Sequence, residues 1–419
     1  MKKLLLMFAA VGVIFTACNK NTDCGHEFIE HDFTQDIVGT WTFLEDDLAE
    51  AMVIKADGSF TTTGVARGGS LYEEKGTIKV VNNKITLAFD GDNQTFEGRL
   101  EFVAGKSLSL VMFDDNAARL TYDYCKEDLS DEIIGMWVSN NGPTDMEDEI
   151  QIRTYGKDGI LTTTGVRTIG GNPEWFFNEE CKYRVVGDLI FKELSKEIAG
   201  QLKVTHNAER FVYAPKATAL GDVMNVFFYL PMGDNYVKST VSFLHIKQNL
   251  NLEGQVYAYK SAYVSNVEGK DEDFTIFDST FNIAKIEAYD FDKLFGADLH
   301  IVELLNNSIK HTFRPNGQNV VLETPITVDG NKVTLDYSNV NPACRKVEMY
   351  MFQDKDDTQL HMYMPTSSFV NYFANMEFST LLTEGKIDPA DATAIEKVYT
   401  DMEARVESIN VSFVFKARE

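Results

Sequence analysis

From Asp36 onward the chain alternates apolar and polar residues over short runs that break at glycine, asparagine and aspartate. Ile85, Leu87 and Phe89 alternate with Thr86 and Ala88, and Leu108 and Leu110 bracket Ser109. This is the period-two pattern of strands that give one face to a core. It marks strands at 37–43, 52–55, 59–65, 77–81, 84–89, 96–103, 107–113 and 119–124. Asp57-Gly58 and Asn82-Asn83 lie between consecutive runs, where residues that accept positive φ permit tight hairpin turns. Eight short strands, each hairpin-linked to the next, predict an antiparallel up-and-down barrel or meander over 36–125.

The pattern is then written a second time. Gly39-Thr40-Trp41 returns as Gly135-Met136-Trp137, and the run 52–55 has its counterpart in 150–153. Asp57-Gly58 followed by Thr61-Thr62-Thr63-Gly64-Val65 returns as Asp158-Gly159 followed by Thr162-Thr163-Thr164-Gly165-Val166. The hairpin 80–85 reappears as 185–190. Trp41 and Trp137 are 96 positions apart, and Gly58 and Gly159 are 101 apart, so five extra residues fall between these landmarks in the second copy. A period near one hundred predicts tandem domains rather than a solenoid. The second copy is placed at 132–233, after the polar linker 126–131.

The remaining 234–419 read as a larger β-rich C-terminal domain. Strand candidates lie at 241–246, 252–259, 274–277 and 286–289, and the runs 309–314, 320–322, 326–328 and 332–337 resemble a degenerate third copy. A helix is expected at 389–407, with Asp388 as N-cap, Pro389 in the first turn and Asp391 near the positive end of the dipole. Its stripe of Ile395, Val398, Met402, Val406 and Ile409 should face the domain's own core. A shorter helix at 367–376 and a closing strand at 409–415 complete the expectation. The fold class is mainly β, with tandem small up-and-down barrels followed by the larger domain with its late helix.

The first residues change the picture from fold to location. Lys2-Lys3 precede an apolar stretch, 4–15, too short to span a bilayer and suited to a secretory signal. It ends in Phe15-Thr16-Ala17-Cys18, which resembles the lipobox of bacterial lipoproteins. The expectation is a signal peptide at 1–17 and a lipidated, palmitate-bearing tether at 18–35, with Cys18 as the modified residue. Ordinary signal cleavage with Cys18 incidental stands as the alternative. The chain of 419 residues carries 64 acidic and 39 basic residues, a net charge of −25. Such a field repels phosphate backbones, so no nucleic-acid partner is expected. A mean hydropathy of −0.20 excludes a polytopic helical membrane protein.

A lipobox cysteine, a polar tether, then Gly-x-Trp and hairpin-linked strands with an Asp-Gly turn together resemble the lipocalin-like lipoproteins of Bacteroidota. The resemblance implies calycin-type barrels anchored in the outer membrane through the N-terminal lipid, on the periplasmic side or the cell surface. It also implies that Trp41 and Trp137 close the bottom of their barrels. Members destined for the surface often carry acidic residues after the lipidated cysteine. Asn19-Lys20-Asn21-Thr22 has none, so the side of the membrane stays open.

Candidate chemistry is sparse. Trp175, Phe176 and Phe177 cannot all share one side of a strand, so they are candidate ligand-binding residues or a strand covered on both faces. Cys24, His26 and His31 lie among tether carboxylates, where a metal site would lack a fixed scaffold. Asp354, Asp356 and Asp357 read as a polar turn rather than a calcium loop. Cys24, Cys125, Cys181 and Cys344 show no metal spacing and leave the disulfide pairing open, Cys24 with Cys125 being one possibility. No Gly-x-Ser-x-Gly, HExxH, P-loop or dinucleotide fingerprint occurs. The chain is therefore expected to be non-enzymatic, without cofactor or metal. The expected role is binding of a small amphiphile or glycan, with an adhesin or envelope-assembly role through a protein partner as the alternative. Strands of five to seven residues span about 17–24 Å and leave a small barrel filled by its own side chains. Room for a ligand is expected in the third domain.

Overall fold

Strand after strand, the first hundred residues of the fold follow the alternation of the sequence. They form β1 (Gly39–Glu45), β2 (Leu48–Ile54), β3 (Ser59–Ala66) and β4 (Ser70–Val81). β5 (Lys84–Phe89), β6 (Thr95–Val103), β7 (Ser107–Met112) and β8 (Arg119–Cys125) follow. Each pairs antiparallel with the next, and β8 returns to β1 through Trp41↔Tyr124 to close an eight-stranded barrel. The computed structural model describes residues 33–91, 95–112, 119–125, 128–139, 150–169, 172–198, 201–218, 221–232, 235–276, 279–295, 300–313 and 320–418. The signal peptide and the tether with Cys18, Cys24, His26 and His31 lie outside the described residues, as does the turn Pro315-Asn316-Gly317.

The second barrel is built from β9 (Gly135–Ser139), β10 (Ile150–Tyr155), β11 (Ile160–Ile169) and β12 (Asn172–Val186). It continues with β13 (Leu189–Ile198), β14 (Gln201–Thr218), β15 (Gly221–Met232) and β16 (Asn235–Ile246). β16 closes on β9, with His245 opposite Trp137. The boundary expected at Gly233 therefore falls between the seventh and eighth strands, and the domain extends to Ile246. The turns confirm the duplication and correct its register. Gly58 N bonds Lys55 O and Gly159 N bonds Gly156 O, both at 3.0 Å. The run before the second turn is thus 153–156 rather than 150–153. Gly58 and Gly159 adopt φ of 76° and 78°, a region that side chains with a Cβ disfavour.

The two Gly-x-Trp motifs solve one packing problem. Each indole donates to the backbone four residues earlier, Trp41 Nε1 to Ile37 O and Trp137 Nε1 to Ile133 O, both at 2.8 Å. Each glycine leaves space for a ring of the closing strand. A Cβ on Gly39 would lie 2.8 Å from the Tyr124 ring, and one on Gly135 would lie 2.3 Å from His245. Tyr124 tilts against Trp41 and His245 stacks on Trp137 at 4.3 Å between centroids.

The third barrel departs from the simple meander. Its strands are β17 (Gln255–Gly269), then, after β18 (Asp273–Ile276) and β19 (Ser279–Asn282), β20 (His300–Leu305), β21 (Ser308–Phe313) and β22 (Val320–Asp329). β23 (Lys332–Leu335), β24 (Val347–Gln353), β25 (Gln359–Met364) and β26 (Val406–Ala417) complete it. β18 and β19 form a separate two-stranded sheet, and β17 pairs with both β20 and β26. Among the described residues there are three such closed barrels. α1 (Ala288–Phe295) precedes β20, while α2 (Thr366–Thr383) and α3 (Ala392–Arg405) lie between β25 and β26. The strand expected at 286–289 is in fact the start of α1. The helix expected at 389–407 begins at Ala392, because Asp391 accepts from the amides of Thr393 and Ala394, both at 3.0 Å. Asp388 instead accepts from Ala390 N at 2.8 Å in the preceding turn. Ile395, Val398 and Met402 are buried on the helix, as expected, whereas Val406 and Ile409 belong to β26.

Faces of the barrels meet side by side. Ala49, Ala51 and Val65 of the first pack on Leu189 and Phe191 of the second. Val138, Ile150 and Leu244 of the second pack on Tyr350, Phe352 and Tyr363 of the third. Polar contacts frame the first seam: Arg210 Nη1 reaches Asp123 at 2.7 Å, and His206 N donates to Gly69 O at 2.9 Å. β12 also runs against α2.

Candidate functional site

Alternation carries some polar residues into the barrel interiors, and each interior answers differently. In β2, Glu50 sits between inward-facing Leu48 and Met52 and is fully buried. The hydroxyls of Tyr72 and Tyr122 donate to it, the latter at 2.7 Å. Gly64 makes room for this arrangement, since a Cβ there would meet the Tyr72 ring at 2.2 Å. Burial pushes the Glu50 carboxyl up to about 7, against the two tyrosine hydrogen bonds that favour its charge.

In the second barrel, Glu209 lies between Arg153 Nη1 at 2.7 Å and Lys192 Nζ at 2.5 Å. Burial alone would raise this carboxyl, but Arg153 and Lys192 more than offset it and hold Glu209 at about 2. Arg153 also lies over the Phe243 ring, 4.8 Å from its centroid. In the third barrel, β20 and β21 turn His300 and His311 inward, with His300 Nε2 3.0 Å from His311 Nδ1. Burial pushes His311 down to about 4 and His300 well below its ordinary value. Both rings are neutral at pH 7.

A cleft of about 440 Å³ opens where α2 crosses the rim of the third barrel. α1 and α2 share one continuous core with the barrel interior, through Phe291, Phe369 and Phe373, and so close that end of it. Phe313, Val321 and Leu322 of β21 and β22 form one wall of the cleft, and Met376, Ser379 and Thr380 of α2 form the other. Three hydroxyl hydrogens on the helix side are already committed. Ser379 Oγ donates to Asn375 O at 2.8 Å, Thr380 Oγ1 to Met376 O at 3.0 Å and Thr383 Oγ1 to Ser379 O at 2.8 Å. These hydroxyls offer lone pairs to an occupant. The Asn375 amide is used as well, accepting from Tyr399 Oη and donating to Arg345 O at 2.9 Å.

The sequence candidates fall elsewhere. Trp175, Phe176 and Phe177 stand on β12 opposite Val166, Gly165 and Thr164. That strand belongs to the second barrel but touches the helix that walls the cleft. Asp354 stays within its own turn, accepting from Gln359 N at 2.8 Å and Thr358 Oγ1 at 2.5 Å. Among the described residues no cluster of three or more histidine, cysteine or carboxylate side chains is arranged to hold a metal, and no disulfide joins Cys125, Cys181 and Cys344. No described helix is long and apolar enough to cross a membrane. Sequence reasoning missed the cleft residues, whose walls come from segments about fifty residues apart. It could have found Glu50, an acidic residue at an inward position of an alternating strand. Comparison with protein-family profiles and with curated proteins returns no match to this chain.

Proposed function

We propose that the chain is a lipid-anchored, non-enzymatic binding protein of the cell envelope, tethered to the outer membrane through Cys18. Its third barrel takes up a small, largely apolar molecule in the cleft between α2 and the β21–β22 rim. The cleft itself carries this reading. Its volume of about 440 Å³ lies within the roughly 300–1,000 Å³ of small-molecule sites, which combine apolar walls with few polar groups. The apolar wall of Phe313, Val321, Leu322 and Met376 favours an amphiphile over a glycan, most of whose hydroxyls would go unmatched there. Cys344 also lines the cleft, but burial raises its thiol away from the thiolate a nucleophile needs. An interaction role is the second reading. It rests on the extended hairpins of the second barrel, where Leu202 is 71% and Met232 63% exposed.

Thermal unfolding with a panel of straight-chain alcohols and other amphiphiles tests the binding reading. A ligand at a hundredfold its Kd should stabilise the protein by about 2.7 kcal/mol. Ser379→Trp, which fills the cleft, should abolish that shift. Equal shifts in both proteins would remove the cleft from consideration. In the native host, labelled palmitate should enter the wild type and not Cys18→Ala; equal labelling would refute the anchor.

A further inference from the structure

His300 and His311 are 2% and 1% exposed, on neighbouring antiparallel strands. Their facing nitrogens are 3.0 Å apart and their ring centroids 5.3 Å apart. That centroid separation is close to the largest that such a nitrogen contact permits, so the two rings point straight at each other. This is the geometry of an N–H···N hydrogen bond. Two nitrogens converging on one metal ion at the same separation would bring the ring centres closer together. The bond fixes what the outer nitrogens present. Whichever histidine donates keeps a bare lone pair on its outer nitrogen, and the outer nitrogen of the acceptor then carries the proton. The pair therefore shows one donor and one acceptor, and it exchanges the two when both tautomers switch.

Neither outer atom, His300 Nδ1 or His311 Nε2, has a hydrogen-bond partner among the described residues. Buried polar atoms are nearly always paired, so each of these two atoms, which face away from one another, marks a place where an occupant can supply a bond. Phe295 of α1 and Phe415 of β26 cage His300 with apolar surface. Phe313 completes the cage, with centroids 4.5 Å from His300 and 5.8 Å from His311. The same Phe313 lines the cleft. Among the described residues that line it, the charged one is Glu384, paired with Lys386 at 2.8 Å.

We propose that the site extends past Phe313 to the His300–His311 pair, and that its ligand is an uncharged apolar molecule ending in a hydroxyl group bound by that pair. The inference rests on the cleft being a binding site. A hydroxyl both donates and accepts, so it suits either outer nitrogen in either tautomer. A carboxylate or an ammonium would bring a charge into this apolar cage with no counter-charge to meet it.

Titration calorimetry with 1-decanol, decanoate and decylammonium separates the cases, because the three share a chain and differ in head group. The wild type should bind decanol at least tenfold more tightly than either ion. His300→Phe and His311→Phe should erase that preference while still binding the chain. Decanol should also move the imidazole ¹⁵N resonances of both histidines in the wild type, a readout that decides the matter if neither variant folds. An unchanged preference in folded variants, or binding without any imidazole shift, overturns the pair as the anchor and leaves the cleft in place. Failure of the wild type to bind any of the three removes the cleft reading and this inference together.

Discussion

Lowering the pH from 8 to 5 should strengthen the first barrel and weaken the third. Burial pushes Glu50 from 4.5 up to about 7, so the folded barrel holds its proton more tightly than the unfolded chain does. The stabilisation is fully present below pH 4.5 and is lost as the pH rises through 7. At about 1.4 kcal/mol per pKa unit, acidification from pH 8 to 5 should return about 2 kcal/mol to the first barrel. His311 runs the other way. Its value falls from 6.5 to about 4, so its contribution is complete above pH 6.5 and is lost as the pH falls through 4. The same acidification should remove about 2 kcal/mol from the third barrel through this residue, with His361 acting in the same sense. Hydrogen exchange read by mass spectrometry resolves the two barrels in one sample once intrinsic rates are corrected for pH. Peptides from 39–125 should gain about thirtyfold in protection, and those from 255–417 should lose protection, about thirtyfold of it through His311. Asp354 and Glu377, also raised by burial, oppose the histidines in the third barrel, so variants isolate each group. Glu50→Gln should flatten the response of the first barrel, and His311→Phe should reduce that of the third. A first barrel that responds to pH identically with and without Glu50 would refute this reasoning.

Two further outcomes can be checked by urea denaturation. Gly58→Val forces a β-branched residue into φ 76° and sets its Cβ 3.0 Å from Ile78 O, which should cost the first barrel about 1–3 kcal/mol; a neutral effect would contradict the turn geometry. Glu209→Gln leaves Arg153 and Lys192 buried without their carboxylate and should cost the second barrel about 3–5 kcal/mol. Apolar replacement of all three should recover most of that loss, and a Glu209→Gln protein as stable as the wild type would show that the triad carries no net interaction.

The first barrel was legible because its strands are short, alternate cleanly and turn at Asp-Gly and Asn-Asn. All eight expected strands are present, most of them displaced by one to four residues at their ends, while β4 begins seven residues before the expected 77. The second barrel lost its last strand to the reading because closure is a long-range event. Within β16, the run 241–246 looks like a strand, but nothing local says that Phe243 will lie opposite Ser139. The helices were legible only in part: α3 was expected to within a few residues and α2 over 367–376 of its length, while the start of α1 read as a strand. α2 buries Phe369, Tyr372, Phe373, Ala374, Asn375, Met376 and Phe378, so apolar residues surround it and no narrow 3.6-residue stripe emerges. Those flanking aromatics also suit strands. The cleft inherits this difficulty, since one of its walls is α2 itself. His300 and His311 were visible only as scattered histidines, because their meeting depends on the β20–β21 register.

Closure also sets a schedule for folding. The first barrel is sealed by Thr40 pairing with Cys125, and the third by Tyr257 pairing with Ala417. A chain emerging from its N-terminus can complete the first barrel early, over a comparatively short loop. The third must wait for β26, the strand that pairs with both β17 and β25. Until that strand arrives, two long rows of backbone donors and acceptors stand open at the edges of β17 and β25, where strands of another chain could add. The proposed binding domain is thus the last to be sealed and the one most exposed to mispairing on the way.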